Sequence, residues 1–251
     1  EATLAVTFSD PETAPRWERF DSETLDGEGR AQSCSEGRLL SSLGRPLPGC
    51  AIDIRDAQGR SLPDGQVGDV FAKGPGIMVG YLNDSETTQS VLDADGWLNT
   101  GDTGFIFDHE LFLCGRSKDL IIMNGRNHDP AMVEQTLDGL TGVRPGCVAA
   151  FADRNDGDDT ERLIVLAELA RGSDVSHSAL MQDITRTVQA GTGLPVAHVG
   201  LLQPGTLPRT SSGKIRRRET ARLWTKNELA AAPDPSLAFV AKEMASGVYH
   251  H

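Results

Sequence analysis

Glycine, acid and base occur together at three places in this chain. The first is Gly96-Trp97-Leu98-Asn99-Thr100-Gly101-Asp102-Thr103-Gly104-Phe105. Glycines let backbone approach a ligand closely, and a carboxylate at such a turn accepts two hydroxyl hydrogens, which is how many nucleotide sites hold a ribose. Asp102 is the candidate. Taken locally, the same residues also suit a β-turn in which the aspartate satisfies its own backbone. The second place is Gly115-Arg116-Ser117-Lys118-Asp119, followed by Asn124-Gly125-Arg126-Asn127-His128. Arg116 can donate to a ribose or a phosphate, although an interdomain linker with solvated charges has the same composition. The third is Leu207-Pro208-Arg209-Thr210-Ser211-Ser212-Gly213-Lys214-Ile215. A lysine after glycine on a polar loop reaches into a cleft as a mobile point charge, or is an exposed turn. The spacing of a Walker A phosphate loop is absent.

Elements must position these residues, and the hydrophobic pattern locates them. Residues 8–48 read as polar and irregular, with Pro11, Pro15, Pro46 and Pro48. Cys50–Arg55 alternates like a strand, Asp56-Ala57-Gln58-Gly59 is a turn, and Val67–Lys73 is the next strand. Asp84 caps a short helix through Leu92. Phe105–Phe107 and Leu111–Cys114 read as strands around Asp108-His109-Glu110. After Arg116 the pattern changes. Leu120–Met123 is a short apolar strand, and Asp129-Pro130 starts a helix with Met132, Val133, Leu137 and Leu140 on one face. Cys147–Ala152, Leu163–Leu169 and Val196–Leu202 read as strands, with an acidic loop from Asp153 to Glu161. Helices are expected from Ser176 or Ser178 to Gln189, and from Ile215 to Lys226. The fold class is α/β in the broad sense, an α+β arrangement. Residues 1–116 form the β-rich end of a large domain, with an insertion-like stretch at about 9–42. Residues 117–251 form a small α+β domain.

Composition bounds the rest. The chain has 251 residues with 38% hydrophobic and 24% charged, enough for a real core. No run of 18 apolar residues exists, so no membrane span is expected. Net charge is −12, which argues against nucleic-acid binding. The charge is uneven: residues 1–116 carry 9 basic and 20 acidic residues, whereas Arg209–Lys226 has 7 basic and one acidic. That local stretch suits an anion site or a solvated helix face. Four cysteines without CxxC spacing disfavour a disulfide framework or a zinc site and fit a reducing cytoplasm. The start, Glu1-Ala2-Thr3-Leu4, has neither an initiator Met nor a basic signal-peptide region, and reads as the middle of a longer protein.

The order and spacing of the three motifs resemble the later motifs of the adenylate-forming superfamily: acyl-CoA synthetases, nonribosomal-peptide adenylation domains, luciferases and fatty-acyl-AMP ligases. The resemblance covers roughly residues 1–226. Thr100-Gly101-Asp102 is similar to the family's ribose-binding loop, Gly115-Arg116-x-Lys118-Asp119 to its interdomain hinge motif, and Pro208-Arg209-Thr210-x-Ser212-Gly213-Lys214 to its catalytic lysine loop. Fatty-acyl-AMP ligases resemble it most. Glu1-Ala2-Thr3-Leu4 is similar to the tail of a motif whose glutamate helps hold Mg-ATP. Gly125-Arg126-Asn127-His128 with Pro130 is similar to their Gly-Arg-Asn-His-Tyr-Pro, with Asp129 in place of the Tyr. The stretch from Ser9 to Ser42 lies where they carry an insertion that disfavours coenzyme A. The family's glycine-rich phosphate loop and most of its acyl pocket lie upstream of the residue matched by Glu1.

The resemblance implies a two-step reaction. A fatty acid is activated with ATP and Mg²⁺ to acyl-AMP and pyrophosphate. The acyl group then passes to the phosphopantetheine thiol of an acyl carrier protein or polyketide synthase, in polyketide or lipopeptide biosynthesis. It makes Lys214 catalytic and Lys118 the hinge. Glu1, Asp102 and Arg116 hold ATP or AMP, Glu1 also serves the metal, and Gly125 lies at the pantetheine tunnel. Two alternatives stand beside it: an acyl-CoA ligase, and a chain inactive without its upstream half.

Overall fold

The computed structural model describes residues 1–123, 125–153, 161–173 and 175–233. The acidic-loop expectation at Asp153–Glu161 falls mostly on residues 154–160, outside the described residues. The chain divides into two compact units. One holds Glu1–Lys118 with Gly125–Asn127, the other Asp119–Asn124 with the residues from His128 onward.

The first unit contains, in chain order, β1 (Thr7–Phe8), β2 (Trp17–Phe20), α1 (Ser22–Gly27), β3 (Arg38–Ser41), β4 (Arg45–Pro46), β5 (Ala51–Arg55), β6 (Gly68–Lys73), α2 (Ser85–Val91), β7 (Leu98–Phe107) and β8 (Glu110–Arg116). Its frame is a four-stranded antiparallel sheet in the order β5-β6-β7-β8. The stretch read as irregular is ordered. β2 and β3 pair antiparallel from Trp17↔Ser41 to Phe20↔Arg38. Asp21 caps α1 by accepting from Thr24 N–H at 2.9 Å. Phe20 is fully buried, its ring edge-on to Phe105 at 4.9 Å and to Phe112 at 5.3 Å. These elements are four to six residues long, too short for periodicity to register, and one aromatic anchors them.

The glycine-rich segment 96–105 is likewise not a loop for most of its length, since β7 begins at Leu98. Strand pairing on both sides overrides the local turn chemistry. Gly104 is required there: a Cβ would stand 2.4 Å from the Phe112 carbonyl oxygen across the β7–β8 ladder. A register shift between Thr103 and Gly104 bends β7 at this point.

With β9 (Ile121–Met123) at its start and β10 (Arg126–His128) next in the chain, the second unit continues from His128. It contains α3 (Pro130–Thr136), β11 (Val143–Asp153), β12 (Arg162–Leu169), α4 (His177–Thr192), β13 (Val196–Leu202) and α5 (Arg217–Thr225). The sheet order is β11-β12-β13, antiparallel then parallel. Alternation sorts its two faces. Val148, Ala150, Leu163 and Val165 pack with Val133, Leu137, Leu180, Ile184 and Val188 of the α3–α4 side. Cys147, Ala149, Phe151, Ile164 and Leu166 pack instead with Leu207, Ala221 and Trp224 of the α5 side. With both faces covered, β12 reads as a continuous apolar run. Asp129 caps α3 by accepting from Ala131 N–H at 3.0 Å, with Pro130 at the first helical position. α4 runs on to Thr192, three residues past the expected end, and stops where Gly193 takes φ +73°.

Candidate functional site

Asp102 and Arg116, singled out in separate motifs, are cross-strand partners on β7 and β8. Arg116 Nε lies 2.9 Å from Asp102 Oδ1. The carboxylate is partly buried and the guanidinium mostly exposed, so the pair presents donors and an acceptor at the sheet's rim. Burial raises the Asp102 pKa, Arg116 pulls it down, and the charge of Glu1 raises it further, leaving it above the ordinary carboxylate value. Glu1 is therefore an electrostatic neighbour of Asp102. Backbone pairing holds it: Ala2 bridges Ile77, Met78 N–H donates to the Glu1 carbonyl at 2.7 Å, and Thr3 N–H donates to Gly76 O at 2.8 Å. The Tyr81 hydroxyl donates to Glu1 Oε1. Glu1, Asp102 and Arg116 thus gather in the first unit.

Among the described residues no group of three or more His, Cys, Asp or Glu could hold a metal by itself. One carboxylate with hard oxygen donors still suits Mg²⁺. That ion keeps several waters and is bound through one or two carboxylates plus substrate phosphates.

Lys118 is exposed and is the last residue of the first unit's long segment. Just before it, Ser117 is fastened. Its hydroxyl donates to Asp69 Oδ1 at 2.7 Å and lies 3.0 Å from Thr103 Oγ1, and its N–H donates to Gly101 O at 3.0 Å. The chain is thus tied to β6 and β7 up to residue 117. Sequence reasoning passed over Asp69 because an acid on an alternating strand carries no motif. Gly125 has φ +74° and open space where a Cβ would be, so a left-handed backbone, not crowding, is the reason for glycine there.

Lys214 lies in the second unit on a short hairpin. Thr210 N–H donates to Lys214 O at 2.8 Å, and Arg216 N–H to Pro208 O at 2.9 Å. Ser211-Ser212-Gly213 forms the loop, with Gly213 N–H donating to Thr210 O at 2.9 Å and Gly213 at φ +86°. This is a three-residue hairpin connection with glycine in the left-handed position. The Thr210 hydroxyl also accepts from Lys214 N–H at 3.0 Å. Lys214 itself is exposed at the tip. The triple Arg216-Arg217-Arg218 is not one uniform face. Arg217 makes a two-pronged pair with Glu134 at 2.7 and 2.6 Å, and Glu134 also accepts from Ala150 N–H at 3.0 Å. That pairing gives Glu134 a structural role.

A model of the AMP-binding enzyme family matches residues 24–82. A putative acyl-CoA synthetase of Caulobacter vibrioides is 40% identical over 86% of this chain and 38% of its own length. A long-chain-fatty-acid–AMP ligase of Mycobacterium marinum is 37% identical over 86% of the chain and 40% of its own. Among solved structures, one from a study of fatty acyl-adenylate ligases of E. coli and L. pneumophila superposes with a TM-score of 0.78. It is 32% identical and covers 89% of this chain and 40% of that one.

These matches make the chain similar to AMP-binding, acyl-activating enzymes over most of its own length. It spans about two-fifths of the length of the curated relatives it matches. The family match at residues 24–82 lies wholly within the first unit. McyG A-PCP complexed with phenylalanyl-adenylate is a further structural match, with a TM-score of 0.71 and 31% identity over 76% of this chain and 34% of that one. Among the described residues no helix is long and apolar enough to cross a membrane.

Proposed function

We propose that this chain contributes the ribose-holding sheet and the lysine-bearing unit of an enzyme that activates a fatty carboxylic acid with ATP. The observation that carries the reading is the Asp102–Arg116 pair, fixed at 2.9 Å across β7 and β8 with Glu1 beside it. Asp102 accepts hydrogen bonds from the ribose hydroxyls, and Arg116 donates to ribose or phosphate oxygen. Glu1 would hold Mg²⁺, which would supply positive charge against the phosphates. A carboxylate oxygen of the fatty acid bonds the α-phosphorus, and the bond to pyrophosphate breaks. Charge grows on the α-phosphate oxygens, and the Lys214 ammonium neutralises it. The acyl group of the resulting acyl-AMP then passes to a phosphopantetheine thiol of a carrier protein, and AMP leaves. Lys118 is the hinge between the two steps, and the loop at Gly125 serves the pantetheine arm.

The test uses the complete polypeptide with Mg-ATP, mixed fatty acids and coenzyme A, read by mass spectrometry. Acyl-AMP without acyl-CoA is the expected product. Abundant acyl-CoA would support the second reading, an acyl-CoA ligase, which the Caulobacter relative's name favours. Formation of neither acyl-AMP nor acyl-CoA would overturn the fatty-acid assignment. Lys214→Ala is expected to lower adenylation by roughly 10²–10³-fold, the usual cost of one preorganised charge-stabilising donor, while transfer from supplied acyl-AMP survives.

A further inference from the structure

The hairpin that carries Lys214 is held from two sides by groups that take no part in the reaction as read above. Glu168 lies on β12, the central strand, with none of its surface exposed. A carboxylate so placed is costly unless it is paired and hydrogen-bonded. Arg144 Nη1 donates to Oε2 at 2.7 Å and Leu207 N–H to Oε1 at 2.8 Å. Burial alone would raise its pKa. Donation from the Gly205 and Leu207 N–H groups and from Arg144 outweighs this and holds it below the ordinary range. The anion is therefore kept, and it pins Leu207, the residue directly before the hairpin.

Arg209 holds the hairpin from within. Its Nη1 donates to Gly213 O at 2.6 Å. Its Nη2 donates to Gly146 O at 2.8 Å and contacts Cys147 Sγ at 3.0 Å. Gly213 precedes Lys214, and Gly146 and Cys147 belong to β11. One guanidinium thus spans from the sheet to the neighbour of the lysine. Only a planar fork reaches both carbonyls at once; an ammonium is a single point charge.

We propose that Arg209 and Glu168 are positioning residues for Lys214, fixing the hairpin to the sheet so that the ammonium is in place when charge builds on the α-phosphate. The proposal rests on the reading of Lys214 given above. A hairpin released from the sheet samples displaced positions, and a shift of about 1 Å can cost ~10²-fold in rate.

The experiment takes Arg209→Ala, Arg209→Lys, Glu168→Gln and Lys214→Ala in the complete polypeptide. Adenylation is followed by fatty-acid-dependent ATP–pyrophosphate exchange, transfer by consumption of supplied acyl-AMP with a phosphopantetheine thiol, and folding by Tm. Both Arg209 variants are expected to lower kcat for adenylation roughly 10–100-fold, with KM for ATP and the transfer rate within about twofold. Glu168→Gln is expected to lower the same step along with Tm. Because Arg209 is exposed, its variants test the idea even where Glu168→Gln fails to fold. Equal losses in both steps for the Arg209 variants would mean that Arg209 merely supports the unit. Full adenylation by Arg209→Lys would mean that the fork does nothing. Either result overturns the proposal. If Lys214→Ala itself retains adenylation, the role of Lys214 falls first, so the two failures are told apart.

Discussion

Asp102 is held between burial, which favours the neutral acid, and Arg116, which favours the anion. Its pKa is raised, so the neutral acid is the form that folding favours. The charged carboxylate therefore costs stability at pH values above its folded-state pKa, and that cost fades as pH falls through that value. Asp102→Asn removes the charge. It is expected to leave the Tm unchanged or slightly higher at neutral pH, since its partner Arg116 is exposed and loses little. Nucleotide affinity is expected to fall, because an amide oxygen is a weaker acceptor for two hydroxyls. Calorimetric titration with ATP alongside a melting curve checks both, and a lower Tm with full affinity would contradict the assignment. Asp102, Arg116 and Lys214 stand out as candidates in the chain alone because glycine, acid and base coincide there. Glu168 was missed because a lone acid in the apolar run Leu163–Leu169 looks like an imperfection of the strand. Only its buried partners show what it holds.

The elements differ in how much of them is legible. α3 follows from its Asp129 cap and one-sided apolar spacing, α4 from that spacing alone, since Ser176 makes no capping bond, and the strands of the second unit from their length and branching. The first forty residues do not yield to such rules. β2 and α1 are short, and their stability comes from Phe20 reaching Phe105 and Phe112, residues some ninety positions away. Phe20→Ala is expected to destabilise the first unit by about 3–5 kcal/mol, the usual cost of emptying an aromatic core site. Denaturant unfolding measures this. A loss under about 1 kcal/mol would show that the stretch is a dispensable insertion and not part of the sheet's core.

At the scale of the molecule, the long segment of the first unit ends at Lys118. Ser117 is tied to Asp69, Thr103 and Gly101, and Lys118 is the exposed residue directly after that tie. Lys118→Pro fixes φ there and restricts the residue before it. It is expected to slow transfer more than adenylation in the complete polypeptide, measured as the two half-reactions. Slower adenylation with intact transfer would place the hinge elsewhere. The sequence by itself determined which residues are candidates for chemistry, where the pattern changes, and most helices and strands of the second unit, because caps, periodicity and motif spacing are local properties. Only the tertiary structure decided that Asp102 and Arg116 are cross-strand partners, that a polar stretch is nailed to the core by Phe20, and that the Lys214 hairpin is clamped by Glu168 and Arg209. Those are pairings between distant residues. Strand register and burial set them, and no local pattern encodes either one.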